Sequence, residues 1–81
     1  MRLTAAVREH LLKINEGFTT STSYDSRNHE YVRNYVISDG KLVIREVGKT
    51  SWSDSRYDNT WTADKDEVLR FLHNNMNILK K

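Results

Sequence analysis

His10, His29 and His73 are the side chains best suited to acid–base or metal chemistry in this chain. Metal ligation needs close spacing, such as His-x-x-x-His or a Cys/His cluster. The chain has neither that spacing nor any cysteine. The histidines are therefore read as structural or surface residues, with no metal and no cofactor expected. Nucleophilic catalysis needs a base held against a nucleophile in a pocket. Ser21, Ser23, Ser26, Ser51, Ser53 and Ser55 are plentiful, but none lies in a Gly-x-Ser-x-Gly setting. Gly17, Gly40 and Gly48 stand alone, so no glycine-rich phosphate loop exists. A ribonuclease-like grouping of His29, Glu30, Arg33 and Tyr35 is the one catalytic arrangement to weigh. It lacks a convergent set in the sequence and ranks third. No catalytic residue is assigned, and the chain is read as a non-enzyme.

Binding surfaces have more to work with. Lys41, Arg45 and Asn34, with Arg27 nearby in sequence, could touch phosphates, while Trp52, Tyr57 and Tyr24 could stack on bases. A protein partner is the stronger reading. Val36, Val43, Lys41 and Arg45 would supply a mixed apolar and basic sheet face. Trp52, Arg56 and Tyr57 are loop-proximal residues of the types that anchor interfaces. Trp61, just before a helix, is expected to fill the core, and Trp52 is open to either role.

These side chains need elements to hold them. Residues 3–16 read as an amphipathic helix, with Leu3, Val7, Leu11 and Ile14 at helical spacing beside Ala6 and His10. Glu9→Lys13 has the favoured i,i+4 order, and Gly17 is a natural stop. Residues 18–24 are Ser/Thr-rich with an aromatic at each end, and they run into Asp25-Ser26-Arg27-Asn28; an edge strand followed by a turn is expected. Gly48–Ser51 reads as a loop, Tyr57–Thr62 as a fourth strand after an irregular Trp52–Arg56 lead-in. Residues 64–80 read as a second helix opened by the Asp64/Glu67 capping pattern. Val68, Leu69, Leu72, Met76 and Leu79 would be its buried stripe, with Phe71 and Ile78 at the margins and Asp66→Arg70 as an exposed pair.

The strongest local signal is Asp39-Gly40 between the β-rich runs Glu30–Ser38 and Lys41–Val47. A two-residue hairpin turn needs positive φ at both positions, which Asp-Gly tolerates. Such a turn sets the register. Ser38 then faces Lys41, Ile37 faces Leu42, and the pairing runs on to Val32 against Val47. Opposed residues share a face. Tyr31, Arg33, Tyr35, Ile37, Leu42, Ile44 and Glu46 fall on one side and are assigned to the core, ended by an Arg33–Glu46 charge pair. Val32, Asn34, Val36, Ser38, Lys41, Val43, Arg45 and Val47 fall on the other, which is assigned to the outside.

The 81 residues, 37% hydrophobic and 30% charged, fit one globular domain spanning 1–81 rather than a disordered tail. No apolar run approaches the roughly 18 residues of a membrane span, and no secretory signal is read. Net charge is +2 with a pI near 9.0 and the signs interleaved, which is not the concentrated basic face of a dedicated nucleic-acid binder. The order is α-β-β-β-β-α. The expected fold is α+β: a two-layer sandwich with a three- to four-stranded antiparallel sheet and both helices packed on one face. The layout is similar to that of the double-stranded-RNA-binding domain. That family grips phosphates with lysines at the start of its last helix, whereas Ala63-Asp64-Lys65-Asp66-Glu67 is acidic here, so the family is not assigned. The function expected is a small cytoplasmic, non-catalytic binding module acting as inhibitor, adaptor or regulator. Its partner is a protein or a second copy of the chain, in the manner of phage and mobile-element accessory proteins. Nucleic-acid binding is the alternative.

Overall fold

The structure is a computed structural model that describes residues 3–52 and 55–81. Its elements run α1 (Ala5–Ile14), β1 (Thr19–Asp25), β2 (His29–Ser38), β3 (Lys41–Thr50), β4 (Tyr57–Thr62) and α2 (Lys65–Asn74). The strands form a four-stranded sheet in the order β1-β2-β3-β4, and every neighbouring pair is antiparallel.

The hairpin forms as the turn chemistry requires. Asp39 and Gly40 take φ of 54° and 72°, the left-handed values of a primed turn. The Glu16 carboxylate accepts from both turn amides, Asp39 N–H at 3.1 Å and Gly40 N–H at 3.4 Å. Register follows as expected, from Ser38↔Lys41 to Val32↔Val47. The ladder then continues through Tyr31↔Gly48 and Glu30↔Lys49 to His29↔Thr50, so residues 48–50 are strand where a loop was expected. Glycine reads as a breaker in sequence, but Gly48 has a packing reason to be small. A Cβ there would lie 2.5 Å from Tyr57 Oη and 2.6 Å from the Glu30 carbonyl oxygen. The β1–β2 turn is closed by Ser26, whose hydroxyl donates to the His29 carbonyl at 2.9 Å and accepts from His29 N–H at 3.2 Å.

Both helices are shorter than their apolar periodicity suggests. Thr4 caps α1 by accepting from Val7 N–H. The helix ends at Asn15, which is buried and tied to the chain terminus: its amide donates to the carbonyls of Leu11 and Lys80, and its oxygen accepts from Lys80 N–H. The helix α2 opens with the full Asp64/Glu67 capping box. It ends when the Asn75 side chain and backbone N–H both bond back to the Phe71 carbonyl. A side chain that competes for the last carbonyls favours an end there. Leu79 remains buried in the turn that follows, so the apolar period outlasts the helix.

One buried cluster gathers Leu3, Leu11 and Leu12, the hairpin residues Ile37, Leu42 and Ile44, and Phe71, Leu72 and Leu79. The core face of the hairpin is therefore the expected one. Ile37, Leu42 and Ile44 are 0%, 1% and 2% exposed, whereas Val32 and Val36 are 43% and 36% exposed. The helix faces differ in detail: Phe71, expected at the margin of its stripe, is a core residue, Leu12 is buried as well, and Ala6, His10 and Ile78 are exposed. Among the described residues the ion pairs are Arg33–Glu46 and Arg45–Asp58; Glu9–Lys13 and Asp66–Arg70 do not close. No described helix is long and apolar enough to cross a membrane.

Candidate functional site

The register builds the valine face in rows. Val32 and Val47 stand side by side between Ser23 and Asp58; Val36 and Val43 stand between Thr19 and Thr62. Asn34 and Arg45 form the polar row between them, flanked by Ser21 and Thr60. Val43 and Val47 are half-buried beside their exposed partners. Lys41 is exposed at the hairpin end. At the opposite end Arg56 joins Asp25, Glu30, Val32 and Val47 around a groove of about 290 Å³. Trp52 is 76% exposed, so it does not cover the face.

Arg45 is not a free cation. Its Nε and a terminal nitrogen donate to the two oxygens of Asp58 on β4, at 3.0 and 2.5 Å. The Asp58 carboxylate raises the Arg45 pKa, and in turn the guanidinium holds the Asp58 carboxyl below its ordinary value. The residues considered for phosphate contact are thus divided. Asn34 and Arg45 are neighbours, Lys41 is at one end of the sheet, and Arg27 is in the β1–β2 turn at the other, about 30 Å away along a ten-residue strand. Arg27 instead lines a small groove with Lys49 and Ser51.

Tyr57 leaves the partner set in which the sequence placed it. It is the first residue of β4, opposite Gly48, and so lies on the core face, across the sheet from Val36 and Val43. There it joins a cluster that sequence reasoning did not assemble. The Tyr57 hydroxyl donates to Glu46 Oε2 at 2.7 Å, and Glu46 Oε1 accepts from Arg33 Nε at 2.5 Å. His29 Nε2 lies 2.6 Å from the same hydroxyl. Because that hydroxyl proton goes to Glu46, His29 Nε2 takes the donor role in this contact. The Arg33 guanidinium lies 5.1 Å from the Tyr31 ring centroid and 5.9 Å from that of Trp61. Tyr31 stacks on Tyr24 at 5.1 Å.

The electrostatics of this cluster make it a clamp. Desolvation draws the Glu46 pKa upward, but hydrogen bonds from Tyr57 and Arg33 outweigh it and hold the carboxyl below its ordinary value. Desolvation and the adjacent Glu46 carboxylate push the Tyr57 hydroxyl up to about 12. The Glu46 hydrogen bond raises the Arg33 pKa. At neutral pH Glu46 is thus ionised with both oxygens engaged, and Tyr57 is a neutral donor. Of the ribonuclease-like grouping, His29 and Arg33 join this chain, Tyr35 stacks on Phe71 at 5.3 Å, and Glu30 lies on the opposite face. Trp61 is half-buried against the core, and its indole N–H donates to Glu67. Among the described residues no group of three or more His, Asp or Glu side chains is placed to hold a metal ion.

Comparison with family models, curated proteins and solved structures finds no match.

Proposed function

We propose that this chain is a cytoplasmic, non-catalytic binding module that uses its valine face to engage another protein. In this reading the fold is a two-layer sandwich, with both helices on the Ile37 face and the valine face left to the partner. The observation that supports it most is the pair of aliphatic rows, Val32–Val47 and Val36–Val43, with Val32 and Val36 exposed. Paired aliphatic side chains on an exposed sheet face, here with the Asn34–Arg45 row between them, give an interaction site apolar surface to bury.

The size of the face argues for a different protein as occupant. Four strands at about 4.8 Å spacing and up to ten residues in length give about 500 Å². Two such faces would bury about 1,000 Å², well below what obligate homodimers use. A transient partner suits that area. Its surface would carry two aliphatic ridges about 13 Å apart, the four-residue step from Val32 to Val36, with polar groups between them to meet Asn34 and the Arg45–Asp58 pair. Lys41 and Arg56 at the two ends would steer encounter more than they hold the complex.

The test is capture from the source lysate, with nuclease and at rising salt. The bound protein should survive both treatments, be lost with the double substitution V32K/V36K, and associate only more slowly with K41E. Capture that vanishes with nuclease, or weakens steeply with salt, would instead establish nucleic-acid binding.

A further inference from the structure

The β1 strand is an edge without the usual protection. Among the described residues it pairs only with β2, and six of its seven residues are exposed. Edge strands are normally blunted by lysine, proline, a bulge or a cover. Thr19–Tyr24 holds no charge and no proline, and its register with β2 runs unbroken from Thr19↔Val36 to Asp25↔Glu30. At the other edge, β4 is shorter and carries Asp58.

The free backbone groups can be identified. Ile37 N–H donates to the Phe18 carbonyl and Ser26 N–H to the His29 carbonyl. In an antiparallel ladder bonded and non-bonded pairs alternate. Thr20, Thr22 and Tyr24 therefore direct their backbone groups toward β2, while Thr19, Ser21, Ser23 and Asp25 direct theirs outward. That outward set is symmetric about Thr22.

We infer that β1 pairs with β1 of a second copy, antiparallel, about a two-fold axis at Thr22. Ser21 then exchanges two hydrogen bonds with the partner's Ser23, and Thr19 does so with the partner's Asp25. Each Asp25 faces a threonine at the far end from its symmetry mate, so no like charges meet. About eight main-chain bonds close the pair. A charged or register-shifted foreign strand matches this neutral, centred edge less well than a second copy does. Paired residues share a face, so the two valine faces lie on the same side of one eight-stranded sheet. This pairing does not depend on what docks on that face.

Sedimentation velocity should show mass doubling as concentration rises. Ser21→Pro removes only an outward N–H, so β1 keeps its bonds to β2. It should weaken dimerisation about tenfold or more with unchanged circular dichroism. If that variant does not fold, the double substitution S21K/S23K serves, because it sets lysines opposite one another across the two-fold axis. Thr22→Cys introduces the only thiol and should oxidise to a disulfide dimer, because non-bonded antiparallel partners lie close enough for one. A chain that stays monomeric at all concentrations, a Thr22→Cys variant that stays reduced, or a folded Ser21→Pro variant that dimerises normally would each overturn the inference.

Discussion

At the residue scale, Glu46 joins three strands. It sits on β3, takes Arg33 Nε from β2 on one oxygen and the Tyr57 hydroxyl from β4 on the other. Its side chain is 14% exposed, so loss of either partner leaves a poorly solvated charge. Glu46→Gln should destabilise the fold by about 1–2 kcal/mol at neutral pH, discounted for the partial exposure of Arg33. The pH dependence has two arms. Since the folded Glu46 pKa is lowered, its stabilisation is present above the ordinary value of 4.5 and is lost as pH falls below it. The folded Tyr57 pKa is raised, so its stabilisation is present below 10.0 and is lost as pH rises toward about 12. Urea titrations should show Glu46→Gln losing less than the parent on acidification and Tyr57→Phe losing less at alkaline pH. Parallel pH curves for parent and variants would remove the clamp from the account. The Arg45–Asp58 pair is more exposed and should contribute little, fading with salt.

At the element scale, hydrogen-bonded caps and turns set the boundaries. The capping box at the start of α2 also recruits the Trp61 indole through Glu67. Asp64→Ala should cost about 1 kcal/mol, measured by thermal unfolding. A different mechanism governs Gly48. An added methyl would meet both a backbone carbonyl of β2 and the Tyr57 ring, and a backbone atom cannot step aside as a side chain can. Gly48→Ala should therefore cost about 2–3 kcal/mol. Removing the ring with Tyr57→Ala should not rescue it, because the Glu30 oxygen remains. Gly48 thus continues a strand although its residue type suggested a break. The chemistry at Asp39-Gly40 was legible because a two-residue turn constrains φ locally. The role of Gly48 was not, because it depends on a ring from a strand nine positions later.

At the scale of the whole molecule, the two sheet faces carry unequal burdens. A chain of 81 residues has about 4–12 kcal/mol of stability to lose. Ile37→Ala should remove about 3–4 kcal/mol from a site that is 0% exposed, while Val36→Ala on the opposite face should remove less than about 1 kcal/mol. Denaturation midpoints for the two variants test the face assignment directly. Equal losses would mean that the valine rows are packed within the chain and would withdraw the proposed docking surface.

The division of labour between sequence and tertiary structure follows the range of the interactions. Local rules carried the hairpin register, the core face of Ile37 and Ile44, the bounds of β4 and the α2 cap, because each depends on φ constraints, side-chain alternation or contacts a few residues apart. Tertiary structure entered the end of α1, where Asn15 makes its bonds to Lys80 sixty-five positions away, whereas α2 ends on local bonds from Asn75 to Phe71. Tertiary structure also decided that Tyr57, read from sequence as a loop-proximal anchor, lies on the core face and reaches His29 twenty-eight positions away. In the β3–β4 register Gly48 lies opposite Tyr57, and the Tyr57 hydroxyl donates to Glu46. A pattern of period two with a turn-set register pairs Arg33 with Glu46, but only the packed sheet brings the Tyr57 hydroxyl and His29 to that pair.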